Sequence, residues 1–328
     1  MAEPGSVLLV RGPSAGGIRN HLAALADGLR ARGWRVRMAD PDGGRALDQR
    51  GVDVVHAHGL RIGWLASLVP RRKPLVVTVH NVVLDDVAGR AAAWQRRLEA
   101  ALPRRVDAVI ATSADVATRL GDGAVVIPPV GPAPVVRHDR PAVRAALDVP
   151  DGVPLVVVAA RLHRQKGLDT LLDAAPRLPG TRIVVVGAGP QEARLRARIH
   201  DEGLGAVVSL AGPSANAADE LAAADVVAVP SIWESGPLVL AEAMELGRPV
   251  VTTPVGFAPE LVDDGVTGRV VAIGDAGALA GAIGAMLADR RASARMAEAG
   301  QRRVEAWLDR DGAIDEVIDV YRRAMTSR

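Results

Sequence analysis

Cysteine is absent from the 328 residues, and tyrosine and phenylalanine occur once each. No disulfide, thiol nucleophile or thiolate metal site can therefore form. Long apolar runs are missing too: none approaches the roughly 18 residues that a membrane-spanning helix requires. Residues 1–11 carry no basic start before the short run Val7–Val10, so no secretory signal is expected. Lysine is nearly absent, with Lys73 and Lys166 the two exceptions among 40 basic residues. So much arginine, alanine, glycine and valine has the look of a high-GC bacterial coding bias, against which a retained lysine stands out. No stretch is low-complexity, and 49% hydrophobic with 24% charged residues is the balance of an ordinary folded protein. A soluble, cytoplasmic protein is expected.

What is present begins with length. The chain exceeds one ordinary core and fits two domains. Residues 1–150 hold 21 Arg and Lys against 14 Asp and Glu, whereas residues 151–328 hold 19 against 24. The basic half suits a phosphorylated ligand or an anionic membrane, and equally a plain solvated surface.

Periodicity divides each half into the same pieces. In the first, the short runs Val7–Val10, Val36–Met38, Val52–Val55, Leu75–Val79, Ala108–Ile110 and Val125–Ile127 predict strands. Helical patterns at Ile18–Arg32, Arg90–Ala101 and Ala114–Leu120 lie between them, with Gly33 as a C-cap. Six prolines and glycines over 128–141 predict a linker. The alternation restarts with strands at Leu155–Ala159, Ile183–Val186, Val207–Leu210, Val226–Val229 and Val250–Val251. Helices are predicted at Leu168–Ala175, Gln191–Asp201 and Leu238–Leu246, and a wholly helical stretch from Ala276 onwards. Alternating strands and helices imply two doubly wound, Rossmann-like parallel-sheet domains with a helical C-terminus, facing a cleft at the carboxyl ends of both sheets.

Three loops at predicted strand ends carry chemistry. Gly12-Pro-Ser-Ala-Gly16-Gly17 opens the first helix, where free N–H groups suit a phosphate, although a plain strand–helix turn explains it as well. Arg161-Leu-His-Arg-Gln-Lys166-Gly167 sets two cations on one loop, able to hold a diphosphate and stabilise its departure. Glu234-Ser235-Gly236-Pro237-Leu238 leads into a helix bearing Glu242; carboxylates accept hydrogen bonds from sugar hydroxyls, though a surface Glu and a helix Glu would look the same.

Taken in order, several fragments join these loops. They are Gly16-Gly17-x3-His21, Val-His56-Ala-His58-Gly, Val-Thr-Val-His80-Asn81, Ala-Thr-Ser113, Ile127-Pro-Pro129, Ala160-Arg161-Leu-x4-Gly167-Leu, Val186-Gly-Ala-Gly-Pro190 and Glu234-x7-Glu242-Ala-Met. Together, from about residue 6 to 271, they resemble the retaining glycosyltransferases of family 4, which have the GT-B fold. The resemblance implies a retaining hexosyltransferase-type enzyme, an acceptor-side domain over 1–138 and a nucleotide-sugar-binding domain over 139–310. A C-terminal helix at 311–328 would pack back on the first.

By the same resemblance Arg161 and Lys166 bind the donor diphosphate, Glu234 the transferred sugar and Glu242 the ribose. His80 contacts the donor sugar near the reacting centre, and Gly16 and Gly17 approach phosphate and sugar. The loop at Gly212 and Pro213 reads the base, while Ser235, Gly236, Pro237 and Leu238 line the donor. His56 and His58 are expected to be structural or to line the cleft. No metal and no cofactor is implied; the nucleotide-diphosphate sugar is substrate, and the acceptor is a sugar, a lipid-linked sugar or a small aglycone. Arg71, Arg72, Lys73, Arg96, Arg97, Arg104 and Arg105, with Trp64 and Trp94, suggest peripheral contact with an anionic membrane; no nucleic-acid partner is expected.

Departures and rivals bear on this. Pro237 replaces a residue with an N–H, so the phosphate contact is expected from Leu238. Asp40-Pro-Asp42 reads as a turn, not a metal motif. Gly187-Ala-Gly189 could suggest a dehydrogenase, but Glu192 occupies the third glycine position. A nucleotide-sugar epimerase of the same fold and a non-catalytic sugar-nucleotide-binding protein are the remaining alternatives.

Overall fold

The computed structural model describes residues 4–12, 17–40, 48–70, 73–80, 92–214 and 217–326. The chain forms two compact units, residues 1–132 with 309–328, and residues 133–308.

In the first unit the strands are β1 (Ser6–Arg11), β2 (Arg35–Ala39), β3 (Val54–His58), β4 (Leu75–Val79), β5 (Ala108–Ala111) and β6 (Ala124–Val126). They form one all-parallel sheet ordered β2-β1-β3-β4-β5-β6. Helices α1 (Gly17–Ala31), α2 (Leu60–Leu68), α3 (Ala92–Ala101) and α4 (Ala114–Leu120) connect them. Strands buried on both faces read as unbroken apolar runs, which is why Val7–Val10 and Leu75–Val77 are each at most 1% exposed. The helix α2 escapes a periodicity reading because its sequence, LRIGWLASL, is apolar nearly all round.

The second unit repeats the plan. Its strands β7 (Leu155–Ala159), β8 (Arg182–Val186), β9 (Val208–Gly212), β10 (Val226–Val229), β11 (Val250–Thr252) and β12 (Arg269–Val270) form a parallel sheet ordered β12-β11-β10-β7-β8-β9. Helices α5 (Arg140–Ala146), α6 (Leu168–Ala174), α7 (Glu192–Asp201), α8 (Ala217–Ala223), α9 (Leu238–Glu245), α10 (Ala258–Leu261), α11 (Ala276–Ala288) and α12 (Arg290–Trp307) flank it. Alternation along the strands sorts the core onto two faces. Val156, Val158, Ile183 and Val185 pack with Leu171, Leu195 and Ile283 from α6, α7 and α11. Leu155, Val157, Val184 and Val186 pack with Val143, Leu221, Leu240 and Val304 from α5, α8, α9 and α12. At about 1.5–3 kcal/mol for each fully buried Val, Leu or Ile side chain, both faces are needed, and the unit is doubly wound.

Two expectations require correction. The predicted linker at 128–141 already contains the start of α5: Asp139 caps it, accepting from Ala142 N–H at 2.8 Å, and Pro141 sits in its first turn. The stretch from Ala276, expected to be wholly helical, is helix interrupted twice. Asp289 ends α11 and caps α12 through Ala292 N–H at 2.9 Å; the chain breaks again at Leu308 before α13 (Arg310–Thr326). This last helix belongs to the first unit, where it buries Ile314, Val317, Ile318 and Tyr321. Arg32, just past α1, holds it through Asp311 (3.0 Å) and Asp315.

Candidate active site

In the second unit the loops leaving β7, β8, β9 and β10 are laced together by backbone hydrogen bonds. Ala160 N–H donates to Val186 O at 2.9 Å, Leu162 N–H to Ala188 O at 3.0 Å, Gly187 N–H to Gly212 O at 2.7 Å and Ile232 N–H to Gln165 O at 2.8 Å. Strands so close leave no room for side chains at two points. Gly167 has φ +64°, and a Cβ there would lie 1.8 Å from Pro230 O; Gly187 has φ +143°, with Ala160 O at 1.9 Å. The glycines of Gly187-Ala188-Gly189 thus serve loop-to-loop packing, which accounts for them without a dinucleotide. Gly167→Ala is expected to destabilise the unit by about 3 kcal/mol through strain and overlap. Gly203→Ala, at φ +67° with nothing within 4 Å, should cost only about 1–2 kcal/mol. Comparing the two thermal unfolding midpoints checks this; equal losses would show that the Pro230 contact does not matter.

On this platform Lys166 and Glu234 meet. Lys166 ends a short 3-10 turn, Arg164–Lys166, before Gly167. Its Nζ pairs with Glu234 Oε1, and Ser231 Oγ donates to the same oxygen at 2.9 Å. Thr253 Oγ1 donates to Ser231 O at 2.6 Å, fixing the turn that carries both. Glu234 is buried, and both donors take Oε1, so Oε2 is the oxygen that can be offered to a ligand hydroxyl. Arg161 is exposed at the end of β7. Burial, then the positive charges of Arg161 and Lys166, push the His163 ring below its ordinary range. Two cations on one loop suit an anion.

Pro237 precedes α9 as its N-cap, not as its first residue. Its φ of −73° and ψ of 80° make an inverse γ-turn, closed by Leu238 N–H donating to Gly236 O at 2.9 Å. The Leu238 N–H expected to meet a phosphate is therefore engaged. Ser235 is buried, Gly236 half-buried, and Glu242 half-buried on the second turn of α9. Gly212 closes β9 at φ +80°, followed by exposed Pro213.

In the first unit, His80 follows β4 directly and is 5% exposed. Register pairs His56 with Val76 and His58 with Thr78, so alternation puts His56, His58, Thr78 and His80 on one sheet face. His21 from α1 and Tyr321 from α13 cover that face: His56 bonds Tyr321 Oη at 2.7 Å and Thr78 Oγ1 at 2.6 Å, and His58 Nδ1 lies 3.0 Å from His80 Nε2. Burial holds all four rings neutral, His21 down to about 4 and His56 to about 3. His56 and His58 are both buried within this cluster. His21 was visible only as part of a motif, without a role.

Gly17 is the first residue of α1, while Gly16, Asn81, Arg71 and Arg72 lie outside the described residues. Asp40 pairs bidentately with Arg11, at 2.6 and 3.0 Å, and is no free metal ligand; Asp42 lies outside the described residues. Trp64 is engaged, donating to Leu98 O at 3.2 Å beneath Arg105, whereas Trp94 is 63% exposed. Among the described residues no helix is long and apolar enough to cross a membrane. Of the residues that fix the Glu234 turn, Ser231 stands out in the sequence only as part of a Pro230-Ser231 turn, and Thr253 carries no signal there.

Comparison with known proteins gives this geometry its context. Residues 139–303 match the family model for glycosyl transferases group 1, and residues 44–130 that for glycosyltransferase family 4. The D-inositol 3-phosphate glycosyltransferase of Mycolicibacterium paratuberculosis is 36% identical over 299 residues, covering 83% of this chain and 67% of that protein. Its Mycobacterium bovis counterpart is 34% identical over 301 residues, covering 83% and 62%. The chain thus spans roughly two thirds of the length of these relatives. Among solved structures, sucrose-phosphate synthase from Thermosynechococcus elongatus superposes with a TM-score of 0.85 at 24% identity, covering 99% of this chain and 100% of that one. Anabaena HepE in complex with UDP-glucose gives 0.84 at 24% identity, covering 96% and 98%. Two six-stranded parallel sheets with flanking helices, and these neighbours, make the fold GT-B. The chain belongs to the family 4 glycosyltransferases, the glycosyl transferases group 1.

Proposed function

We propose that this glycosyltransferase is a retaining, metal-independent enzyme that moves a hexose from a nucleotide-diphosphate sugar, first of all a UDP-sugar, to an acceptor hydroxyl. The observation that carries the reading is the convergence of Lys166 and Ser231 on Glu234, at the carboxyl end of the sheet in the unit that the group 1 model matches. The uridine choice draws on Anabaena HepE, which has been solved with UDP-glucose.

In this reading Arg161 and Lys166 bind the diphosphate and stabilise the charge it develops on leaving. Glu234 Oε2 accepts from a hydroxyl of the transferred sugar, and Glu242 from the ribose. Gly212 and Pro213 flank the base, Ser235, Gly236, Pro237 and Leu238 line the donor, and Gly16 and Gly17 approach it from the first unit's sequence. The neutral His80 ring contacts the donor sugar. As the anomeric carbon–phosphate oxygen bond breaks, the acceptor oxygen attacks from the same face, and its proton passes to the departing phosphate oxygen. No protein nucleophile and no metal takes part.

We further infer an anionic acceptor, a sugar or polyol phosphate that is free or lipid-linked, met in the cytoplasm. The excess of basic residues over 1–150 supports it, as does the name of the mycobacterial relatives. Exposed Leu65, Leu68 and Trp94 lie on α2 and α3, whose flanks bear Arg96, Arg97, Arg104 and Arg105, and suit an anionic membrane surface.

The test is chelator-treated protein incubated with UDP-, GDP- and ADP-glucose, with and without inositol 3-phosphate, while nucleotide diphosphate release is measured. Release from the UDP-sugar, accelerated by the acceptor and giving a product of unchanged anomeric configuration, is expected. Inverted product would remove the retaining assignment, and epimerised donor would replace transfer by epimerisation. Pelleting of the protein with neutral and anionic vesicles alike would remove the electrostatic membrane contact.

A further inference from the structure

The histidine cluster of the first unit offers more ring nitrogens than the His80 contact with the donor sugar uses. His21, His58 and His80 come from α1, the end of β3 and the residue after β4, and are 7%, 3% and 5% exposed. One ring nitrogen from each lies within 4.8 Å of the other two. The rings crowd face and edge: His21 stands edge-on to His58 and His80, with centroids 5.8 and 5.2 Å away, and His58 stacks on His80 at 5.3 Å.

Hydrogen bonding sets the protons. His21 Nδ1 lies 3.0 Å from Val130 O, and a carbonyl only accepts, so Nδ1 carries the proton and Nε2 keeps a lone pair. A backbone carbonyl that fixes the far nitrogen is the usual partner of a metal-ligating histidine. His58 turns Nδ1 towards His80 Nε2, the two nitrogens 3.0 Å apart, and its own Nε2 is buried with no hydrogen-bond partner.

We propose that His21, His58 and His80 form a binding site for one divalent transition-metal ion of the Zn²⁺ class. In a tetrahedral site with Zn–N near 2.0 Å the ligand nitrogens stand about 3.3 Å apart. The 3.0 Å between His58 Nδ1 and His80 Nε2 is close to that spacing, and His21 completes the trio within 4.8 Å. Three neutral nitrogens without a carboxylate select Zn²⁺, Co²⁺ or Cu²⁺ over Mg²⁺ and Ca²⁺, which prefer oxygen. A fourth position remains for water, as in three-histidine zinc sites generally. Burial favours the unprotonated rings that a metal needs, so protons compete little at neutral pH. His138, His163 and His200 complete the seven histidines with His56 and stand in the other unit. An ion there occupies the His80 nitrogen, the ring that the proposed reading sets against the donor sugar, so it competes with that contact and is not a cofactor of the reaction.

The test uses the full chain without a histidine tag, stripped by a chelator and titrated with Co²⁺. One equivalent giving visible bands of tetrahedral intensity, displaced by Zn²⁺ and untouched by excess Mg²⁺, is expected. His21→Ala and His58→Ala, checked for folding by circular dichroism, should each lose the bands, and His200→Ala should keep them. Should either variant fail to fold, the wild-type chain decides: stoichiometric Zn²⁺ must raise its melting midpoint by several degrees, and Mg²⁺ must not. Bands that survive both substitutions, or a wild-type midpoint unmoved by Zn²⁺, overturn the site.

Discussion

Lys166→Ala is expected to slow nucleotide diphosphate release by about 10²–10³-fold, the loss typical of removing one donor from developing negative charge. Glu234→Ala should fall in the same range, because the carboxylate both accepts from the sugar and holds the ammonium in place. Stability tells the two roles apart. Lys166 and Glu234 are 20% and 10% exposed at their side chains, so removing the lysine leaves a poorly hydrated carboxylate without its cation. Full burial would make that cost several kcal/mol; with this residual exposure about 1–3 kcal/mol is expected, and Ser231 remains as a donor to Glu234. The double variant Lys166→Ala with Glu234→Ala has no orphaned charge and should recover part of the melting midpoint. It should recover none of the activity. An ordinary structural ion pair would behave otherwise: activity would return together with stability. Diphosphate release and thermal unfolding of the three variants, side by side, decide the matter.

The strands of both units, the two-residue edge strand β12 excepted, were legible, and the central ones because burial on both faces forces unbroken Val and Ile runs. Their ends were less so. β3 extends to His58, past the last apolar residue of the predicted run, because Tyr321 and Thr78 bury His56 as a hydrogen-bonded ring. No local pattern contains that information. The helices α2, α5 and α8 were missed for different reasons: one is apolar nearly all round, one is masked by Pro141, and the last is a short alanine-rich helix with Asp219 and Glu220 in its first turn. In α5 the signal was present, since Asp139 followed by Pro141 is a helix start. At the site, residue type and position after a strand were enough to single out Arg161, Lys166 and Glu234. Their pairing was not readable, because Lys166 and Glu234 stand 68 residues apart and meet only once β7 lies beside β10. The histidines show the same limit. His56 and His58 announce themselves as an alternating pair, but His21 joins them through the packing of α1, and His80 through the β3–β4 register.

Those buried rings also make the first unit sensitive to acid. His21, His56, His58 and His80 all have folded-state pKa values below the ordinary 6.5, chiefly from burial, and His56, His58 and His80 also from neighbouring rings. The unfolded chain therefore binds more protons than the folded one as soon as pH falls below about 6.5. Their neutral, folded contribution is complete above that value and drains away as pH drops towards about 4 for His21 and about 3 for His56. Each ring contributes a slope of up to about 1.4 kcal/mol per pH unit in this window, so four acting together would exhaust the stability of an ordinary domain within two or three units. Carboxylates act lower. Asp53 and Asp315, held down by Ser6 and Arg32, destabilise the fold only as pH falls below their ordinary 3.8. The first unit should thus unfold between pH 6 and 4, reported by the buried Trp34 packed against Tyr321. Unit two has no comparable cluster among its described residues and should outlast it, giving a two-step acid transition by circular dichroism and Trp fluorescence. His58→Gln, which cannot take up a proton, should flatten the first step and shift it to lower pH. A first step centred below pH 4 and indifferent to that substitution would assign acid sensitivity to the carboxylates and remove the histidines from the account.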